Sequence, residues 1–273
     1  MTTGALLTVD HLSIAVGSTE LVNDVSFVIE RDERLGIIGA SGSGKTLTCL
    51  AVAGLLPDGL KATGSVHLDG VHTDLAHGAE RQLARVRGLR IGTVFQEPMT
   101  ALNPTMTIGR QVAEVMVRHR MKTRKAARAT TLELLTSTGL PDPERMARSY
   151  PHQLSGVQRQ RVVLAIAIAN GPDLLICDEP TTALDVTVQA RVLELIAQQS
   201  RAVRAALLFI SHDLAVVASI CDRVLVMWQG RIVEQGSVID VLSDPQHPHT
   251  RQLLADSDLS VPDTLPATVE DLG

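Results

Sequence analysis

Along the chain, apolar runs of four to six residues, bounded by Gly, Asp and Pro, alternate with longer segments whose apolar side chains recur at helical spacing. The runs at 35–38, 91–95, 174–178, 207–210 and 224–227 have no polar face. They predict strands buried on both sides, as in a parallel sheet covered by helices. Helices are predicted to begin near Gly44, Thr187 and Asp213. The first 35 residues and the segment 65–68 differ. Their short, half-alternating runs, with turns such as Val16-Gly17-Ser18, predict a small antiparallel sheet beside the parallel one. From Pro98 to about Ser155 the strand signals stop. Helical patterns at 108–119 and 124–138, followed by a break at Gly139, Pro141 and Pro143, predict an inserted all-helical segment. Beyond Pro245 the chain is rich in Pro, Asp and His, and the acidic stretch 255–273 is expected to be poorly ordered. The expected organisation is an interrupted α/β core over 1–97 and 156–240, a helical insertion over 98–155 and a C-terminal extension over 241–273.

Composition narrows the class of function. The chain has 273 residues, 45% of them hydrophobic and 20% charged, with a mean hydropathy of +0.16. That is the profile of a soluble globular protein. The net charge of −5 and only five aromatic side chains argue against a nucleic-acid surface, which needs a basic field or stacking platforms. The apolar run 162–169 falls short of the roughly 20 residues of a membrane span, and the N-terminus lacks a signal-peptide pattern, so a cytoplasmic location is expected. Cys49, Cys177 and Cys221 are far apart and odd in number, which predicts neither a disulfide framework nor a metal clip. Six Lys and Arg fall within 118–128, and a solvated helix face is the expected reading.

The strongest chemistry follows the run 35–38. Gly39-Ala40-Ser41-Gly42-Ser43-Gly44-Lys45-Thr46 fits G-x-x-x-x-G-K-[ST] at every fixed position. Its glycines let backbone N–H groups curl inward around phosphate, and the helix that follows presents its N-terminus to the same anion. The cradle is expected to run from Gly39, Ser41, Gly42, Ser43 and Gly44 to Leu47. Lys45 would reach the β- and γ-phosphates and Thr46 would ligate Mg²⁺. Such a loop needs an acid at the end of another buried strand. Asp178, ending the run 174–178, is expected to hold Mg²⁺ through water, and Glu179 to polarise the attacking water.

The remaining motifs resemble those of the ATPase subunits of ABC transporters. Lys45 and Asp178 lie 133 positions apart, and between them stands Leu154-Ser155-Gly156-Val157-Gln158, similar to the family's LSGGQ signature. Gln96 sits where the family has its Q-loop glutamine, Asp185 in Ala183-Leu184-Asp185 resembles the D-loop, and His212 occupies the place of the switch histidine. These motifs stand in the family's order over residues 6–236. The resemblance implies a P-loop NTPase (RecA-like) core with a mostly parallel sheet, a small antiparallel β subdomain and an inserted α-helical subdomain. It also implies ATP and Mg²⁺ as cofactors, with Gln96 a further Mg²⁺ ligand and catalytic residue beside Lys45, Glu179 and His212. Ser155, Gly156, Val157 and Gln158 would face the ATP of a second, homologous ATPase subunit in a head-to-tail dimer. Finer matches, 95–104, 150–153, 178–187 and 247–250, resemble the branch that handles oligopeptides, dipeptides and nickel. That implies two membrane permease subunits, an extracytoplasmic solute-binding protein, and a peripheral location on the cytoplasmic face of the membrane.

The chain departs from the family pattern in two motifs. Val157 replaces the second signature glycine, which implies a heterodimer with unequal sites. Val16 stands where the family commonly stacks adenine on an aromatic ring, which implies relaxed base selectivity. No cysteine follows Cys221, so the C-terminal iron–sulfur cluster of some relatives is not expected. Three functional readings follow: an importer ATPase for peptides, or for nickel or another small solute; a soluble non-transport ATPase of the same type; and a nucleotide-binding subunit that does not hydrolyse. The helical insert and 97–104 are the expected contact with the membrane subunits.

Overall fold

The computed structural model describes residues 4–95, 98–181 and 185–257. The chain opens with strands β1 (Ala5–Val16), β2 (Thr19–Glu30) and β3 (Arg34–Ile38) and helix α1 (Lys45–Val52). It continues with β4 (Leu60–Leu68), α2 (Glu80–Val86) and β5 (Ile91–Val94). Helices α3 (Pro98–Ala101), α4 (Ile108–Arg118), α5 (Arg124–Ser137) and α6 (Pro143–Arg148) follow, then a 3-10 turn and α7 (Gly156–Ile168). The remainder alternates β6 (Leu174–Asp178), α8 (Val186–Val203), β7 (Ala206–Ile210), α9 (Leu214–Ile220), β8 (Arg223–Trp228) and β9 (Arg231–Ser237). Helices α10 (Val238–Ser243) and α11 (Pro248–Asp256) close it.

The larger sheet has the order β5-β6-β7-β3-β8-β9, parallel except for the β8–β9 hairpin at its edge. Its central strands are buried at every position in β6 and β7, which is why they read as unbroken apolar runs. Alternate side chains feed two cores. Leu175, Cys177, Leu207 and Phe209 join one with α4, α7 and α8, while Leu174, Ile176, Leu208 and Ile210 join the other with the antiparallel sheet β2-β1-β4. All three cysteines are buried and unpaired.

The first two strands are 12 residues each, not short. Two bulges disguised them. His11 and Asp24 adopt left-handed backbone conformations, with φ of 48° and 54°. Each adds a residue to its strand, so buried positions change parity from Leu7 and Val9 to Leu12 and Ile14, and from Val22 to Val25, Phe27 and Ile29. The bulges face each other and are joined by His11 Nδ1 to Asp24 Oδ1 at 2.6 Å. β4 begins at Leu60 rather than near 65, and β5 ends at Val94 rather than 95. Helix α11 carries order through Asp256, correcting the expected disorder from 255; residues 258–273 lie outside the described region. Among the described residues no helix is long and apolar enough to cross a membrane.

Candidate functional site

The loop between β3 and α1 forms the anion cradle. Gly42 and Gly44 hold φ of 77° and 100°, a conformation that favours glycine and turns successive N–H groups inward. Gly39 is required by space, because a Cβ there would overlap the Met227 carbonyl of β8. The hairpin after β8 braces the loop from outside: Gly230 N donates to Ser43 O at 3.1 Å. Ser43 is buried and its hydroxyl has no hydrogen-bond partner among the described residues, so a polar atom is held ready inside the cradle. Lys45 is 5% exposed and its ammonium donates to Gly39 O at 2.7 Å and Ala40 O at 2.9 Å. Burial lowers its pKa, while Glu179 and Asp178 pull the other way. Ser41 and Leu47 lie in the same loop and first helical turn.

Two strand ends meet this cradle, both at the carboxyl edge of the parallel sheet, where open α/β folds bind ligands. Asp178 ends β6, Glu179 follows it, and His212 follows β7, the strand lying between β6 and β3. Asp178 is buried; the neighbouring Thr46 hydroxyl favours its charged form, and its Oδ1 has no hydrogen-bond partner among the described residues. A hydroxyl beside a carboxylate oxygen with spare capacity is a donor set that suits Mg²⁺. Glu179 takes a left-handed backbone with φ of 46°, fixed by its N–H donating to Ile210 O at 3.0 Å. Its Oε2 lies 3.4 Å from His212 Nδ1, and the imidazole is the more exposed partner at 58% against 20%. Gln96 lies outside the described residues, as do Ala183 and Leu184 of the D-loop resemblance. Asp185 is described: its carboxylate caps α8 by accepting from Val188 N at 3.0 Å.

Burial first, and the neighbouring Glu179 second, push the Asp178 carboxyl up to about 6. The folded chain therefore holds this proton more tightly than the unfolded one. Its contribution to stability is full below about pH 4 and is lost as pH rises through about 6. Thermal melts of the nucleotide-free chain are expected to show this loss between those values, and Asp178→Asn to remove it. A wild-type profile with no change across that window would contradict the assignment.

The signature residues sit elsewhere. Ser155 caps α7 in a reciprocal box, accepting from Gln158 N at 3.3 Å while Ser155 N donates to Gln158 Oε1 at 2.9 Å. Ser155 and Gly156 are exposed and a Cβ at Gly156 would meet open space, whereas Val157 is half-buried. The N-terminus of α7 thus faces outward with its free amide groups. Val16 ends β1 with 47% exposure, and the adjacent β2 packs on the P-loop, its Leu21 carbonyl 3.1 Å from where a Gly44 Cβ would stand.

Sequence reading gave no role to Gln160, which the fold buries. Its Nε2 donates to Pro180 O at 2.8 Å, tying the signature helix to the backbone just past Glu179. Nothing in a Gln at a helical position signals such a tie; it emerges only when α7 is laid against the end of β6.

Comparison with known proteins agrees with this geometry. A family model described as ABC transporter matches residues 22–182. An oligopeptide transport ATP-binding protein of Bacillus subtilis is 44% identical over 92% of this chain and 71% of its own length. A dipeptide transport ATP-binding protein from the same organism is 43% identical over 89% and 73%. An oligopeptide transport ATP-binding protein of Mycobacterium tuberculosis is 50% identical over 85% of this chain, which spans only 38% of that relative. Among solved structures, a dimeric ATP-binding cassette in a post-hydrolysis state, bound to ADP and Pi, superposes with a TM-score of 0.74 at 26% identity, covering 85% of this chain and 98% of that one.

Proposed function

Because the chain belongs to the ABC transporter family, whose cassettes bind and hydrolyse ATP, we propose that it is the ATPase subunit of a peptide importer, peripheral on the cytoplasmic face of the membrane. The observation that carries the reading is the convergence of Lys45, Thr46, Asp178, Glu179 and His212 at one edge of one sheet. Peptide cargo is supported by the names of the relatives. The partners would be a homologous ATPase subunit, two permease subunits and an extracytoplasmic binding protein. The core would comprise 1–97 and 156–240, with the helical segment 98–155 between its halves and 241–273 as an extension.

The residues divide the work. The P-loop amides and Lys45 bind and orient the β- and γ-phosphates. Mg²⁺, held by Thr46 and Asp178, and by Gln96 on the family pattern, would neutralise phosphate charge when bound. Glu179 Oε accepts the proton of the attacking water, and His212 holds that carboxylate in place. Ser155, Gly156 and Gln158 would close over the partner's nucleotide with the dipole of α7 behind them. Val16 would give adenine an aliphatic contact.

The test is to purify the complex with its permease subunits, identify what its binding protein carries, and measure ATP turnover with that protein loaded. Peptides in the binding protein and stimulated turnover are expected. A metal or another solute in the binding protein, or an ATPase that associates with no permease, would overturn the cargo or the transport reading respectively.

At the signature, Val157→Gly is expected to raise turnover of the assembled complex about threefold, under 1 kcal/mol off the barrier, by relieving crowding against the partner's γ-phosphate. Unchanged or lower turnover would remove Val157 as the cause of unequal sites.

A further inference from the structure

The first turns of α7 are tied to their surroundings through consecutive side chains. Gln158 Oε1 accepts from Ser155 N in the capping box, Arg159 Nε donates to Pro151 O at 2.9 Å, and Arg161 Nη1 donates to Gly139 O. These bonds hold the helix to its own cap and to the helical insertion. Gln160, between them, points the other way. Its buried Nε2 donates to Pro180 O at 2.8 Å, at the catalytic edge of the sheet. From α8, Gln189 Nε2 donates to the hydroxyl of the buried Thr181 at 3.3 Å. Residues 180 and 181 are thus held between two helices by side-chain amides.

What that clamp fixes is the residue before it. Glu179 has a left-handed backbone, φ of 46°, which a residue with a Cβ adopts at a cost and keeps only where its neighbours enforce it. On its N-terminal side the Glu179 N–H donates to Ile210 O at 3.0 Å. On its C-terminal side the ring of Pro180 sets φ, so holding the Pro180 carbonyl removes most of the freedom that remains. Without the Gln160 donor that buried carbonyl would be left unpaired, and the segment would turn to satisfy it. Glu179 would then relax toward an ordinary backbone conformation, swinging its Cα–Cβ bond and carrying the carboxylate off its present position beside His212. Packing alone asks for no amide here. Val162, Val163 and Leu164, which follow on the same helix, are buried and apolar.

We propose that Gln160 is a positioning residue for ATP hydrolysis: by holding Pro180 O it keeps the Glu179 carboxylate aimed at the attacking water, and it joins the signature helix to that acid as one connected unit. The inference rests on Glu179 being the base, a premise that the same assay checks by itself.

The test is made in the assembled complex with Gln160→Met, which keeps the length and bulk of the side chain and removes its donor. Turnover at saturating ATP is expected to fall about tenfold, as for a misplaced catalytic group, with KM and equilibrium ATP binding within about twofold of wild type. Gln160→Glu, equal in shape and without a donor when ionised, is expected to lose turnover in the same way. Arg161→Met, which removes the tie of the same helix to Gly139, is expected to leave turnover within about twofold, with melts reporting that each variant is folded. Added to Glu179→Gln, Gln160→Met is expected to slow single-turnover phosphate release no further, because a residue acting through Glu179 has nothing to position once the base is gone. Wild-type turnover in both Gln160 variants, a loss of ATP affinity that matches the loss of turnover, an equal loss in Arg161→Met, or a further loss on top of Glu179→Gln would each overturn the proposal. Wild-type turnover in Glu179→Gln alone would overturn the premise, and the proposal with it.

Discussion

Replacing Glu179 with Gln in the assembled complex is expected to cut ATP turnover by about 10²- to 10⁴-fold, the usual worth of a positioned general base, while ATP binding persists. The side chain sits on a backbone at φ 46°, pinned by the N–H to Ile210 O, with Oε2 3.4 Å from His212. Glutamine preserves the volume and the contact to the imidazole but cannot take a proton from water. Binding should therefore outlast hydrolysis, leaving ATP-loaded complexes that turn over slowly. Paired measurement of steady-state phosphate release and equilibrium ATP binding separates the two. Unchanged phosphate release would end the assignment of Glu179.

The second large effect is on binding. Lys45→Met is expected to weaken ATP about 100-fold, corresponding to two charge-assisted contacts of roughly 1.5 kcal/mol each. Methionine is close to lysine in length and occupies the same buried channel, so packing changes little. What is lost is the ammonium, which donates to Gly39 O and Ala40 O, with its carbon stem enclosed. Those bonds order the side chain within the loop, so less ordering cost falls on binding. Isothermal titration with ATP, with a melt to confirm folding, gives the outcome. Affinity within threefold of wild type would show that the loop amides alone hold the phosphates.

How far these features could be seen beforehand depends on how locally each is encoded. The P-loop and the run ending at Asp178 are contiguous motifs whose spacing forces their geometry, and both were legible. The buried strands were legible because burial on both faces leaves no polar position to blur them. β1 and β2 were misjudged in length because a bulge changes alternation parity and looks like a strand end. α11 was masked by its Pro and His content, although Pro248 stands in the first helical turn, where a missing N–H costs nothing. The arginine-lined hollow between α4, α5 and α6 was unreadable because it joins Arg110, Arg118, Arg124, Arg128 and Arg148, and which face of α4 and α5 turns inward depends on their packing against α7 rather than on local spacing. Gln160 and Gly230 act through partners 20 and 187 residues away.

The β8–β9 hairpin that braces the P-loop has one more consequence. Its strand ends in Trp228, the single tryptophan of the chain, with ring centroids 6.0 Å from His247 and 5.6 Å from His249. Two residues on, Gly230 is bonded to the P-loop itself. An indole packed beside two imidazoles and two residues from a bond to the nucleotide loop is a built-in optical gauge. Its emission is expected to respond to loop movement, so nucleotide titrations can be followed in unlabelled protein.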